Sequence, residues 1–194
     1  MASKSRQQLE SYLANLDIKA DKVLDIGGAQ LPIPRRVNSW EVGEYRILDL
    51  ETPHENNVQP DYICDMNEPD SVIPFSNEHA EEFDCVFAIE ISEYLIDPNM
   101  ALGLMNKVLK KGGKLYISFQ FVYPTHSPEG KDYLRYTKWG AEALLKRSGF
   151  EIVNCVTRVA ESDLLGFYRQ EGMRFNRNYS DHNETGYMFE CIKS

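Results

Sequence analysis

Cysteine and histidine are scarce, with four of each in 194 residues. Cys64, Cys85, Cys155 and Cys191 form no C-x-x-C pair, which removes zinc-ribbon and dithiol redox chemistry from consideration. Three of the four sit in apolar, strand-like runs, where a free thiol packs as a small hydrophobe. The histidines are scattered, so no metal site is read here. Long apolar runs are missing too: none approaches the roughly 20 residues of a membrane span. Met1 to Glu10 is polar and lacks the apolar core of a secretory signal, so a cytoplasmic, membrane-free location is expected. Cationic residues are in deficit, 21 Lys and Arg against 30 Asp and Glu, for a net charge of −9. That balance argues against a nucleic-acid partner, because phosphate backbones are held by cationic surface. The densest basic cluster, Arg169, Arg174 and Arg177, is diluted by Glu171 and Asp181 and reads as solvated surface.

What remains is a globular composition, 42% hydrophobic and 26% charged, in a length that suits one domain over residues 1–194. Strand-like and helical patterns alternate, which implies an α/β architecture. Leu9, Tyr12, Leu13 and Leu16 recur at helical spacing, so a helix over about Ser5 to Leu16 opens the chain within residues 1–20. Strands are expected at Lys22–Ile26, Tyr45–Leu48, Asp61–Cys64, Phe83–Ala88, Lys114–Phe119, Phe150–Val156 and Tyr187–Ile192. The first four end on a glycine, an acid or a polar turn, as parallel strands sharing one functional rim would. Asp97-Pro98 has the form of an N-cap followed by proline in the first turn, with Gly112 as the stop of that helix. Thr137 is expected to cap a helix through Arg147 that ends at Gly149. Residues 157–186 are long for a connection and are read as a loop covering a site, set against a plain surface Ω-loop, and residues 120–137 are read as a second covering loop.

The chemistry concentrates at Val23-Leu24-Asp25-Ile26-Gly27-Gly28-Ala29. A strand that runs into glycines leaves room for a ligand to approach the backbone. Asp49 lies 22 residues beyond Gly27, at the end of the next strand, where an acid commonly receives ribose hydroxyls. Both features suit a dinucleotide as well as S-adenosylmethionine (SAM). The loop separates them. A pyrophosphate needs the N–H groups of a helix start, whereas this loop continues Leu31-Pro32-Ile33-Pro34 and lacks the G-x-G-x-x-G spacing. SAM has no phosphate and tolerates such a loop.

Val23 to Phe119 resembles the class I SAM-dependent methyltransferases, in particular the type 11 group. Val23-Leu24-Asp25-Ile26-Gly27 is similar to the family's glycine motif, and Asp49 matches its ribose-binding acid. Cys64-Asp65-Met66 matches the adenine-edge aspartate and its neighbour. Phe83 to Ala88 with Glu93-Tyr94-Leu95-Ile96-Asp97-Pro98 resembles the fourth-strand signature, and Val108 to Leu115 the turn into strand five. The resemblance implies a Rossmann-like class I methyltransferase fold: a mostly parallel seven-stranded sheet with an antiparallel last strand and helices on both faces. It implies SAM as cofactor, held by Asp25, Gly27, Gly28, Ala29, Asp49, Leu50, Asp65, Met66 and Ala88. Ala29 and Leu31 replace the second and third motif glycines, Pro32 and Pro34 require the following helix to be short or irregular, and Tyr94 stands where the family usually has histidine.

Tyr123 to Thr137 resembles a segment after strand five in some type 11 relatives, P-x-H followed by D-Y-x-R-[YF]-T. Displacement at a sulfonium methyl needs positioning and dehydration, and a hydroxyl acceptor also needs a base. His126 is the candidate base, set against a purely structural packing between two prolines; Glu90, after strand four, is the second candidate. Asp132 and Arg135 are placed to pair and anchor the loop. The expected activity is methylation of oxygen or nitrogen on a small-molecule acceptor. A non-catalytic SAM-binding module acting through a protein partner is the alternative, and an NAD-dependent oxidoreductase lacks its phosphate loop.

Overall fold

The structure, a computed structural model, describes residues 2–53, 58–125, 128, 130–161 and 183–194. Helix α1 (Lys4–Leu13) precedes strands β1 (Asp17–Ile26), β2 (Ser39–Asp49) and β3 (Tyr62–Ile63). Helix α2 (Pro69–Glu78), β4 (Phe83–Ala88), α3 (Pro98–Val108) and β5 (Leu109–Gln120) follow, then α4 (Lys138–Arg147), β6 (Phe150–Val159) and β7 (Glu184–Lys193). The strands form one seven-stranded sheet in the order β3-β2-β1-β4-β5-β7-β6. Pairs from β3 through β5 are parallel, and β7 runs antiparallel between β5 and β6. The expected seven-stranded sheet with its antiparallel last strand is therefore what the chain builds.

Central strands are covered on both faces, and alternate side chains enter two cores. Leu24, Ile26, Val86 and Ala88 join the core under α2, α3 and α4. Val23, Cys85 and Phe87 join the opposite core with Leu9 and Leu13 of α1 and with Ile33. That second layer is thin, because the chain after β1 makes only a 3-10 turn at Ile33–Arg35. Pro32 and Pro34 remove the N–H groups that a longer helix would need there.

Helix α3 begins as its residues require. Asp97 accepts from the N–H groups of Asn99 and Met100, and Pro98 occupies the first turn. Its end differs from the expectation. The helix stops at Val108, and Leu109 already pairs with Phe83. The register then jumps to Cys85 opposite Lys114, so Gly112, with φ 76°, lies in a bulge of β5 and not at a helix terminus. In α4 the Thr137 side chain accepts from the Gly140 N–H. The strands exceed their apolar runs: β6 reaches Val159 and β7 starts at Glu184, which shortens the connection expected over 157–186. Most of that segment, with Arg169, Arg174 and Arg177, lies outside the described residues. Strand β3 is only two residues long, and the Asp61 carboxylate just before it accepts from the Ile47 N–H.

Candidate cofactor site

The parallel strands deliver their carboxyl ends to one rim, and a cavity of about 320 Å³ opens there. Of the residues singled out in the sequence, Gly27, Asp49, Leu50, Asp65, Met66 and Glu90 line it. Asp25, Gly28, Ala29 and Ala88 stand behind this wall. Ala88 is fully buried at the end of β4, opposite Ile26 of β1. His126 lies outside the described residues, while Pro128, Lys131 and Tyr133 of the same loop line the cavity.

The glycine turn is built around Asp25. This carboxylate is buried and accepts from the Tyr45 hydroxyl at 2.6 Å and from the Ile33 N–H at 3.0 Å. A Cβ on Gly28 would fall 2.4 Å from Asp25 Oδ2, so only glycine fits against it. Gly27 has φ 76°, and a Cβ there would fall 2.3 Å from Ile91 Cγ2 across the turn. Its N–H donates to the Leu48 carbonyl, which seats the turn beside β2.

Burial pushes the Asp25 carboxyl up to about 6, against the lowering effects of Tyr45, Ile33 and Arg36. A carboxyl raised in the folded state favours folding while it is protonated. Its contribution is complete below the unfolded value near 4 and is lost as pH rises through about 6. Asp25→Asn keeps the acceptor oxygen and removes the titration. Wild-type stability, referenced to that variant, is expected to fall by about 2–3 kcal/mol between pH 4 and 8. Urea denaturation across that range measures it, and parallel stability curves for the two proteins would refute it.

Asp49 closes the other side of the turn. Its two oxygens accept from the Ala29 N–H at 3.1 Å and the Leu50 N–H at 2.8 Å. Burial raises its carboxyl above the ordinary range, partly offset by those two N–H groups. The donors a pyrophosphate would use are thus spent inside the loop, Ala29 on Asp49 and Ile33 on Asp25.

Asp65, two residues beyond β3, forms an Asx turn, with Oδ1 accepting from the Asn67 N–H at 2.9 Å. The Asn67 side chain then clamps the next wall, donating to the Tyr94 carbonyl at 2.9 Å and accepting from the Ile96 N–H at 2.7 Å. Glu90 adopts φ 60°, and its carboxylate is bound by Arg158 at 2.5 Å and by the Ser118 hydroxyl at 3.2 Å. Arg135 pairs with Asp132 and donates to the carbonyls of Tyr123 and Pro124, anchoring the loop as its spacing suggested. The N–H groups of Tyr133 and Leu134 dock on the Glu93 carbonyl. Asn67, Ser118 and Arg158 carried no sequence signal of their own; each is defined by a partner distant in the chain.

A family model described as "Methyltransferase domain" matches residues 50–117. No curated protein sequence matches the chain. Among solved structures, a putative methyltransferase from Bacillus halodurans is similar at 14% identity, with 97% of this chain and 99% of that one covered and a TM-score of 0.61. A putative methyltransferase in complex with the Trm112 methyltransferase activator of Haloferax volcanii is similar at 16% identity, covering 97% and 89%, with a TM-score of 0.59. Phosphoethanolamine N-methyltransferase 2 of Haemonchus contortus, in complex with S-adenosyl-L-methionine, is similar at 20% identity and a TM-score of 0.57. That likeness covers 97% of this chain and about half (52%) of the other. At these identities the likeness shows the fold.

Proposed function

We propose that this chain is a class I SAM-dependent methyltransferase that transfers the methyl group to oxygen or nitrogen of a small-molecule acceptor. One observation carries the reading: the ends of β1, β2 and β3 bring Gly27, Asp49 and Asp65 to one cavity, which continues to Pro128, Lys131 and Tyr133. The donor set fits the cofactor. The described lining carries Asp49, Asp65, Glu68 and Glu90 against Lys131, a wall that favours a cation over a phosphate. SAM is such a cation, and when bound it supplies an electrophilic methyl on sulfur. Asp49 would receive the ribose hydroxyls, since each of its oxygens keeps a second lone pair beyond its backbone bond. Asp65 would accept from the adenine amino group, with a backbone N–H near Met66 meeting the ring. Leu50 and Met66 add apolar surface, and Tyr94, Ile96 and Tyr133 shape and dry the acceptor end. The cavity volume falls within the range of small-molecule sites, and the acidic balance of the chain supports a metabolite over a nucleic acid as acceptor.

Asp49→Ala is expected to weaken SAM binding by about 1.5–3 kcal/mol, the worth of hydrogen bonds to a charged group. Calorimetric titration of the folded variant tests this assignment, and unchanged affinity would remove Asp49 from the ribose site. Turnover of methyl-labelled SAM against a pool of small metabolites tests the activity. Label appearing only in macromolecules would contradict the small-molecule reading.

A further inference from the structure

We propose that Arg158 is a positioning residue of the cofactor site, holding the Glu90 carboxylate in the cavity wall from the far edge of the sheet. The inference rests on the reading of this cavity as the SAM pocket. Glu90 follows β4, whereas Arg158 lies near the end of β6, and β5 and β7 stand between those strands in the sheet.

Arg158 is fully buried, and a buried guanidinium persists only where charge and hydrogen bonds compensate it. Its Nη1 donates to Glu90 Oε1, and its Nε donates to the carbonyl and hydroxyl oxygens of Ser5 in α1, both at 3.1 Å. The Thr185 hydroxyl of β7 donates to the same Ser5 oxygen at 2.8 Å. Ser118 of β5 grips Glu90 twice: its oxygen accepts from the Glu90 N–H at 2.7 Å, and its hydroxyl donates to Oε1. Arg6 of α1 stands 3.9 Å from Oε2. Three elements, α1, β5 and β6, therefore reach one carboxylate, and β7 braces the Ser5 hydroxyl that also holds Arg158.

The backbone at Glu90 explains why this matters for the site. A residue with a Cβ keeps φ 60° only where its surroundings hold it. The turn at Glu90 aims Ile91, and Ile91 fills the space in front of Gly27 and lines the cavity. Releasing Glu90 lets Ile91 shift against the glycine turn, so the guanidinium acts on the cofactor wall through Glu90 and not by touching ligand.

S-adenosylhomocysteine, the demethylated product, is titrated calorimetrically into wild type, Arg158→Gln, Arg158→Lys, Glu90→Gln and the double variant Arg158→Gln/Glu90→Gln, with folding checked by thermal melts. Each glutamine variant is expected to lose about 10–100-fold in affinity, and the double no more than the weaker single, because contacting residues of one network do not add. Arg158→Lys is expected to recover part of the loss, since it keeps the charge without the planar fork. A lower melting temperature with unchanged affinity in Arg158→Gln would make the residue structural only and overturn the proposal. Losses that multiply in the double would overturn it as well. If Arg158→Gln does not fold, Arg158→Lys and Ser118→Ala are each combined with Glu90→Gln, and the same additivity criterion decides. A wild-type protein that binds no S-adenosylhomocysteine would bring down the cofactor reading first, and the positioning role with it.

Discussion

Gly28→Ala is expected to destabilise the fold by about 3–5 kcal/mol and to weaken SAM binding in the molecules that remain folded. The added Cβ would lie 2.4 Å from Asp25 Oδ2 and 2.5 Å from its Cγ, closer than real contacts allow. The carboxylate has nowhere to retreat. It is buried in the second core, tied to the Tyr45 hydroxyl and to the Ile33 N–H. Relief requires breaking those bonds or displacing the turn that places Gly27 and Ala29 at the cavity. Overpacking costs about 1–3 kcal/mol, and losing hydrogen bonds to an ionisable acceptor adds a similar amount. The cause is separable by a second substitution. In an Asp25→Ala background the obstacle is gone, and the added cost of Gly28→Ala should drop below about 1 kcal/mol. Urea denaturation of the four proteins measures the coupling, and an equal cost in both backgrounds would show that the clash is not the reason.

Much of this turn was legible in the sequence because its signals are local. A strand ending on Gly27-Gly28 and an acid at the end of the next strand place themselves, and so do Asp65 and Glu90, each of which follows a short apolar run. Strand β4 matches its apolar run from Phe83 to Ala88, and α4 starts at its Thr137 cap. Other elements hid for physical reasons. Helix α2 contains Pro69 and Pro74, which read as breakers, yet Pro69 sits in the first turn where its missing N–H costs nothing. The amino halves of β1 and β2 are only partly buried, and Ile18, Ala20, Trp40 and Val42 alternate with polar residues or glycine, so no continuous apolar run marks them as strand. Arg158 was invisible for a different reason. One cation near the end of an edge strand reads as solvated until the fold brings Glu90 and Ser5 to it across the sheet.

His126→Ala is expected to lower turnover by about 10²–10⁴-fold while SAM affinity stays intact, the worth of a positioned general base. The stretch that carries it is fastened on both sides. Arg135 ties Asp132 to the carbonyls of Tyr123 and Pro124, and Tyr133 and Leu134 dock on Glu93. Pro128, Lys131 and Tyr133 line the cavity. The other candidate is already committed. Glu90 already holds Arg158 and the Ser118 hydroxyl on one oxygen of its carboxylate. An imidazole titrates near neutrality and suits the deprotonation of a hydroxyl acceptor. The decisive quantity is turnover per folded molecule, with SAM affinity measured in parallel. A structural histidine would lower the melting temperature, and activity would fall only with the folded fraction. Full activity in a stable His126→Ala protein would leave the histidine no catalytic part. Either the acceptor would then be a group that needs no base, such as a neutral amine or a thiolate, or Glu90 would become the next candidate, with Glu90→Gln the variant to assay.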